Sequence, residues 1–174
     1  MQKGKPRLHK GRHIPSRESA ALSTPFRLQL PRKIYEEMVA HARAELPNEC
    51  CGLIAAQWSG ISGQESATDT QSPRVLAEQC YPLVNELASP TEYLSEPRSM
   101  FRAVKDMRPR GLEIVAVYHS HPSSEPVPSR KDLERNYSPG VIHLIISLMG
   151  EQLFMRGWWL AEDGFQEAVW TLAD

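Results

Sequence analysis

The sequence predicts an α/β protein of the α+β kind, a mixed β-sheet with a few packed helices. Two stretches with helical spacing of apolar residues alternate with short apolar runs of strand length. The end of the chain, from Val141 on, is a series of strand-like runs joined by turn sequences, the pattern of hairpins. No internal repeat is visible, and the order reads β-α-β-β-α-β-α-β-β-β.

Phe26-Arg27-Leu28-Gln29-Leu30 alternates apolar and polar residues, as a half-buried strand does. Pro31 then opens a helix, its ring suited to a first turn. Ile34, Met38, Ala42 and Leu46 recur at i+4, with Tyr35 and Val39 alongside, so one stripe faces a core. Pro47 and Asn48 end it. Cys51 to Ala56 is a short apolar run with the character of a buried strand. Residues 58–73, WSGISGQESATDTQSP, form a polar loop, and Val75 to Val84 is a weaker strand. A second helix begins around Glu96-Pro97, with Met100, Phe101, Val104 and Met107 at helical spacing, and stops at Pro109 and Gly111. Leu112 to Tyr118 is nearly continuously apolar, as expected of a strand buried on both faces. Ser129 to Asn136 reads as a short helix halted by Ser138-Pro139-Gly140. Val141 to Leu148, Leu153 to Leu160 and Phe165 to Leu172 are three further strands, with turns at 149–152 and 162–164.

With 174 residues, 41% of them hydrophobic, the chain can bury one core, expected over residues 25–174. Residues 1–24 interleave Lys3, Lys5, Arg7, Lys10, Arg12 and Arg17 with Gly, Pro, Ser and His, and read as a basic, disordered tail. Twenty basic residues against twenty-one acidic ones leave a formal charge of −1, which argues against nucleic-acid binding driven by the global field. No apolar run reaches membrane-spanning length; the densest, Val141 to Met149, is short and carries His143. The opening MQKGKPRLHKGRH lacks the apolar middle of a secretory signal. Three cysteines, Cys50, Cys51 and Cys80, are too few for a disulfide scaffold, so a reducing, cytoplasmic setting is expected. There is no coiled coil or conspicuous apolar patch, and homo-oligomerisation stays open.

The chemistry concentrates in Tyr118-His119-Ser120-His121-Pro122 and Pro128-Ser129-Arg130-Lys131-Asp132. His119 and His121 are two apart at the end of a strand, so both imidazoles point to the same side. Pro122 ends the pairing, and Asp132 returns from the following helix with a carboxylate. Two imidazoles and one carboxylate are a set that zinc accepts while keeping a fourth position for water. The same Ser129-x-x-Asp132 is also an N-capping pattern, and capping and ligation need not exclude each other. A water activated by zinc needs a base, usually a glutamate outside the metal's ligands. Glu49 is the candidate, between a helix end and a buried strand, although local chemistry alone does not choose it over Glu45 or Glu113.

These residues resemble the JAMM (MPN+) metalloprotease family, whose signature is an upstream glutamate, then His-x-His, seven residues, Ser, two residues and Asp. Here His121 is followed by the seven residues Pro122 to Pro128, then Ser129, Arg130, Lys131 and Asp132. Pro47-Asn48-Glu49-Cys50-Cys51-Gly52 fits the family's Pro-x-Glu-x-Cys-Gly context, and the likeness runs from about Phe26 to the C-terminus. The resemblance implies that His119, His121 and Asp132 bind Zn2+, that Glu49 is the general base, and that Ser129 hydrogen-bonds the oxyanion. It implies the MPN fold, a curved mixed sheet between helices similar to cytidine deaminase. The flavour is that of small prokaryotic peptidases acting after the C-terminal Gly-Gly of ubiquitin-like sulfur-carrier proteins, with peptide or isopeptide bonds as substrates. The polar loop from Trp58 to Pro73 is the candidate stand-in for an insertion with which larger members grip ubiquitin.

The alternatives are a non-catalytic MPN scaffold and a RadC-like protein of DNA metabolism. The first is disfavoured because His119, His121, Ser129 and Asp132 are all kept. The second shares the His119–Asp132 pattern, but the short basic tail does not resemble the N-terminal helical region usual in RadC-like chains. A zinc deaminase would need a Cys-x-x-Cys pair, which does not occur. Cys50, Cys51 and Cys80 are expected to be core packing, and His143 a satisfied structural histidine. Trp158-Trp159 could split between core and partner, and Asn85, Ser89 and Tyr93 are candidates for lining a substrate groove.

Overall fold

The computed structural model describes residues 26–57, 72–162 and 164–173. The predicted tail and residues 58–71 of the predicted polar loop lie outside the described residues.

The elements run β1 (Arg27–Pro31), α1 (Arg32–Ala44), β2 (Cys51–Ala56), β3 (Arg74–Leu76), β4 (Gln79–Leu83), α2 (Pro97–Met107), β5 (Glu113–His121), α3 (Arg130–Glu134), β6 (Ile142–Ser147), β7 (Phe154–Ala161), β8 (Gly164–Ala168) and β9 (Trp170–Ala173). Six strands form one mixed sheet in the order β4-β2-β5-β6-β7-β8, and three form a second sheet, β3-β1-β9, whose pairs are both parallel. In the larger sheet only β5 and β6 run parallel; the other pairs are antiparallel. The expected mixed sheet flanked by helices is therefore present, with a small second sheet beside it.

Two predicted strands each divide between the sheets. Val75 to Val84 breaks at Ala77 and Glu78. The Ala77 N–H donates to Gln29 in the small sheet, and the next N–H, of Glu78, donates to Ala55 in the large one. Phe165 to Leu172 breaks at Val169, whose carbonyl accepts from the Leu28 N–H as β9 joins β1. Continuous apolar patterning cannot show such a hand-over, because both pieces are part-buried strands.

The sheet separates two apolar clusters. On one face α1 lays Ile34, Met38 and Ala42 against Ile54, Tyr118 and Leu144 of the large sheet, together with the small sheet. On the other face α2 brings Ala103 and Met107 to Cys51, Leu53 and Val117. Adjacent Cys50 and Cys51 go to opposite clusters, and with Cys80 all three are buried free thiols, as expected of packing residues. A buried Met38→Ala or Ile54→Ala would cost about 2–5 kcal/mol.

Three details of the helices differ from the sequence expectation. Pro31 is the N-cap of α1 and the last residue of β1, one place before the first turn. Leu46 lies beyond the helix end and is 48% exposed, so the buried stripe stops at Ala42. On α2 the buried line is Ser99, Ala103 and Met107, while Phe101 points to solvent. Glu96 caps α2, its carboxylate accepting from the Ser99 N–H, and the Ser99 hydroxyl then donates back to the Glu96 carbonyl. No helix of the described residues is long and apolar enough to cross a membrane.

Candidate active site

β5 extends through both histidines before Pro122 stops it. Alternation sends His119 and His121 to the α2 face and Ser120 to the other. The register pairs Cys51 with His119. It is carried one residue further by Ser120, whose N–H donates to the Cys50 carbonyl and whose hydroxyl accepts the Cys50 N–H at 2.8 Å. Glu49 thereby stands across from His121 at the end of the strand pair.

The loop from Pro122 to Pro128 must return the chain to the histidines, and three side chains hold three successive carbonyls of it. Ser147 Oγ donates to Ser124 at 2.7 Å, His121 Nδ1 bonds Glu125 at 2.8 Å, and Trp158 Nε1 donates to Pro126 at 2.8 Å. The carbonyl partner makes His121 Nδ1 the protonated nitrogen and turns the Nε2 lone pair toward the site. Ser129 then starts α3 with a reciprocal cap: its Oγ accepts from the Asp132 N–H, and its own N–H donates to Asp132 Oδ2 at 2.6 Å. That cap fixes the angle at which Asp132 enters.

The result is a tight triangle. His119 Nε2 and His121 Nε2 are 3.1 Å apart; Asp132 Oδ1 is 3.3 Å from the first and Oδ2 3.7 Å from the second. Donors at zinc's usual bond lengths stand about 3.3 Å from one another around a tetrahedral ion, so the two nitrogens and the carboxylate fit such an ion. These three residues are the group among the described residues whose ligand atoms converge closely enough to share a metal.

Burial and charge tune the set. Burial pulls the His119 imidazole below its ordinary value, which keeps it neutral. Burial also opposes protonation of His121, but the nearby Asp132 carboxylate and the bond to the Glu125 carbonyl outweigh that and raise it. Asp132 is buried too, yet the neighbouring His119 and His121 hold its carboxyl far below the usual carboxylate range. Glu49 is 5% exposed; burial pushes it up to about 7, against the pull of His121.

Of the groove candidates, Tyr93 stacks on His119 with ring centroids 4.7 Å apart and 29° between planes. Asn85 organises the loop before α2: its Nδ2 donates to the Glu49 and Glu92 carbonyls, and its Oδ1 accepts from the Leu87 and Leu94 N–H groups. Ser89 acts through its backbone, accepting the Glu49 N–H at 2.8 Å. Glu92 ties this loop to α3 through Lys131 at 3.3 Å and Arg135 at 3.0 Å. The roles of Ser120 and Glu92, and the bond from Trp158 to the Pro126 carbonyl, escaped the sequence reading, because each acts through a long-range partner with no local motif. Trp159 packs edge-on against Phe26 and Trp158 is buried, so both indoles of the pair are engaged within the fold.

His143 corrects an expectation. It is buried, as expected of a structural residue, but its Nε2 has no hydrogen-bond partner among the described residues, so it is only partly satisfied. It lines a cavity of about 240 Å3 on the α2 face that Asp132 also borders.

The family of prokaryotic homologs of the JAB domain matches residues 31–161. A desampylase of Haloferax volcanii is 32% identical over 129 residues, 71% of this chain and 83% of that protein. A probable TtuB-protein conjugate cleaving protease of Thermus thermophilus is 35% identical over 108 residues, and the match spans 62% of each chain. Among solved structures, that of a protein from Desulfitobacterium hafniense superposes with a TM-score of 0.69 at 34% identity, covering 84% of this chain and 93% of the other. With the matched span taking in β2, β5, β6 and the whole converging triangle, the chain belongs to the prokaryotic homologs of the JAB domain.

Proposed function

We propose that this chain is a zinc-dependent peptidase or isopeptidase that hydrolyses the bond after the C-terminal Gly-Gly of a ubiquitin-like sulfur-carrier protein. The observation that carries the reading is the convergence of His119 Nε2, His121 Nε2 and the Asp132 carboxylate within 4.8 Å of one another, across from buried Glu49. The names of the Haloferax and Thermus relatives, a desampylase and a TtuB-conjugate protease, support this substrate class.

His119, His121 and Asp132 would hold the ion. Zinc held there lowers the pKa of a bound water toward neutrality and polarises a carbonyl. Glu49, with a pKa raised by burial to about 7, suits a group that accepts the water's proton and then delivers it to the departing amine. Ser129 Oγ accepts from the Asp132 N–H, which leaves its hydroxyl proton to donate to the oxyanion. The reciprocal cap and the three held carbonyls keep these groups in place without substrate. Glycine residues suit the approach, since a backbone without Cβ can come close to the metal. The buried free thiols support a reducing, cytoplasmic setting, and residues 25–174 form the catalytic domain in this reading.

The test mixes zinc-loaded protein with ubiquitin-like carriers bearing C-terminal extensions and reads the products by mass spectrometry. A new Gly-Gly end that disappears on chelation is expected. Intact carriers throughout, or cleavage indifferent to chelator, would overturn the proposal.

A further inference from the structure

We propose that Trp158 is a positioning residue for His121. Its indole N–H fixes the peptide plane that orients the carbonyl bonded to the His121 ring, and so sets how tightly His119, His121 and Asp132 hold zinc. The proposal rests on the reading of His121 as a metal ligand, and its test does not need cleavage.

The path is short. Trp158 Nε1 donates to the Pro126 carbonyl at 2.8 Å. That carbonyl belongs to the Pro126–Val127 peptide, which is planar, so its C=O and its N–H turn together. The Val127 N–H, at the other end of the plane, donates to the Glu125 carbonyl at 2.8 Å. The same Glu125 carbonyl is the partner of His121 Nδ1, also at 2.8 Å. A carbonyl oxygen has two lone pairs and takes both donors. Three hydrogen bonds joined by one rigid plane therefore run from the indole to the imidazole.

Proline makes the indole decisive. The ring of Pro126 locks its φ, which leaves ψ as the rotation that would swing the Pro126–Val127 plane. The Val127 N–H restrains that rotation from inside the turn, and Trp158 restrains it from outside. An indole N–H is a donor only, so the direction of its bond is unambiguous.

The donor is itself held. Trp158 is 5% exposed. It pairs with His143, which pairs with Val117, so its ring lies on the sheet face that carries the two histidines. The Arg156 guanidinium carbon stands 4.4 Å from the Trp158 ring centre, and the Glu167 carboxylate accepts from that guanidinium twice, at 2.9 Å each. Phe165 meets the indole edge-on with ring centroids 5.1 Å apart. The hairpin of β7 and β8 thus fixes a turn that lies against the metal ligand from another part of the chain. Removing a contact that orients a ligating histidine weakens metal binding about 10- to 100-fold. Trp158 acts through further bonds, so the low end of that range is expected.

The test compares the wild-type protein with Trp158→Phe and Trp159→Phe. Trp159 packs edge-on against Phe26, so its variant also removes an indole from the fold. Zinc affinity is read by chelator competition, and exchange of the Val127 amide by NMR in the metal-free protein. In Trp158→Phe we expect zinc to bind about tenfold more weakly and the Val127 amide to exchange at least about tenfold faster. Trp159→Phe should match the wild type in both. Wild-type affinity in Trp158→Phe, an unchanged Val127 amide, or equal weakening in the two variants overturns the proposal. Should Trp158→Phe fail to fold, the same readings are taken with Trp158 replaced by 3-benzothienylalanine, which keeps the bicyclic ring and puts sulfur where the N–H was. Unchanged affinity there overturns the proposal equally. A wild-type protein that takes up zinc and cuts no carrier removes the peptidase reading and leaves this one standing, whereas one that takes up no zinc removes both.

Discussion

Ser120 Oγ accepts the N–H of Cys50 at 2.8 Å, joining the strand of the two histidines to the residue beside Glu49. Both partners are buried. Ser120→Ala leaves a buried N–H unpaired, so a loss of about 1–3 kcal/mol is expected in denaturant unfolding. Because the bond sets Glu49 across from His121, turnover should fall while zinc content stays at the wild-type level. Metal loss of the same size as the loss of turnover would place the effect in the histidines instead.

Glu49→Gln separates chemistry from binding. The variant should keep its metal and lose cleavage, measured by zinc content and product mass; turnover near wild type would remove Glu49 from the reaction.

The same residue makes stability depend on pH. Its carboxyl ionises at 4.5 in the unfolded chain and at about 7 when folded, so folding takes up a proton between those values. Its contribution is full below 4.5 and is lost as pH rises through about 7, reaching a cost of about 3 kcal/mol in alkaline solution. Chelator-treated Glu49→Gln, neutral at every pH, should therefore melt higher than wild type at pH 8, with the gap closing toward pH 5. A gap of the same size at both pH values would contradict this.

Tyr93 supports His119 by its ring rather than its hydroxyl. Tyr93→Phe keeps the stack and should retain metal affinity, whereas Tyr93→Ala should weaken it about 10-fold in chelator competition, the scale seen when a ligand's supporting contact is removed. Equal affinities for the two variants would show that the stacking does not hold the ligand.

Glu92 bridges the loop before α2 to Lys131 and Arg135 on the helix that carries Asp132. These pairs are partly exposed, so Glu92→Gln should leave the melting temperature near that of wild type. Wild-type KM should rise with salt as the bridge is screened, and the variant's KM should start high and respond less.

Much of the site was legible because its chemistry is local in sequence. His-x-His at a strand end and Ser-x-x-Asp at a helix start each fix a direction through two or three residues, and the structure brings His119, His121 and Asp132 together. Glu49 needed the family likeness to be chosen over Glu45 and Glu113, since only the pairing of β2 with β5 brings it across from His121. The second sheet was not legible. The hand-overs at Ala77–Glu78 and Val169 depend on which distant strand offers a carbonyl, and apolar alternation is the same on either side. Gly52 shows the same limit. A Cβ there would strike the Tyr118 ring, a restriction set by a strand far away in the chain.

The parallel pairing of β1 with β9 also has a consequence for biogenesis. Leu28 leaves the ribosome long before its partner Trp170. One side of β1 therefore waits unzipped until Trp170 has been made, a non-local pairing of the kind that closes late. A nascent chain stalled before Trp170 would keep that edge open to a strand from another molecule.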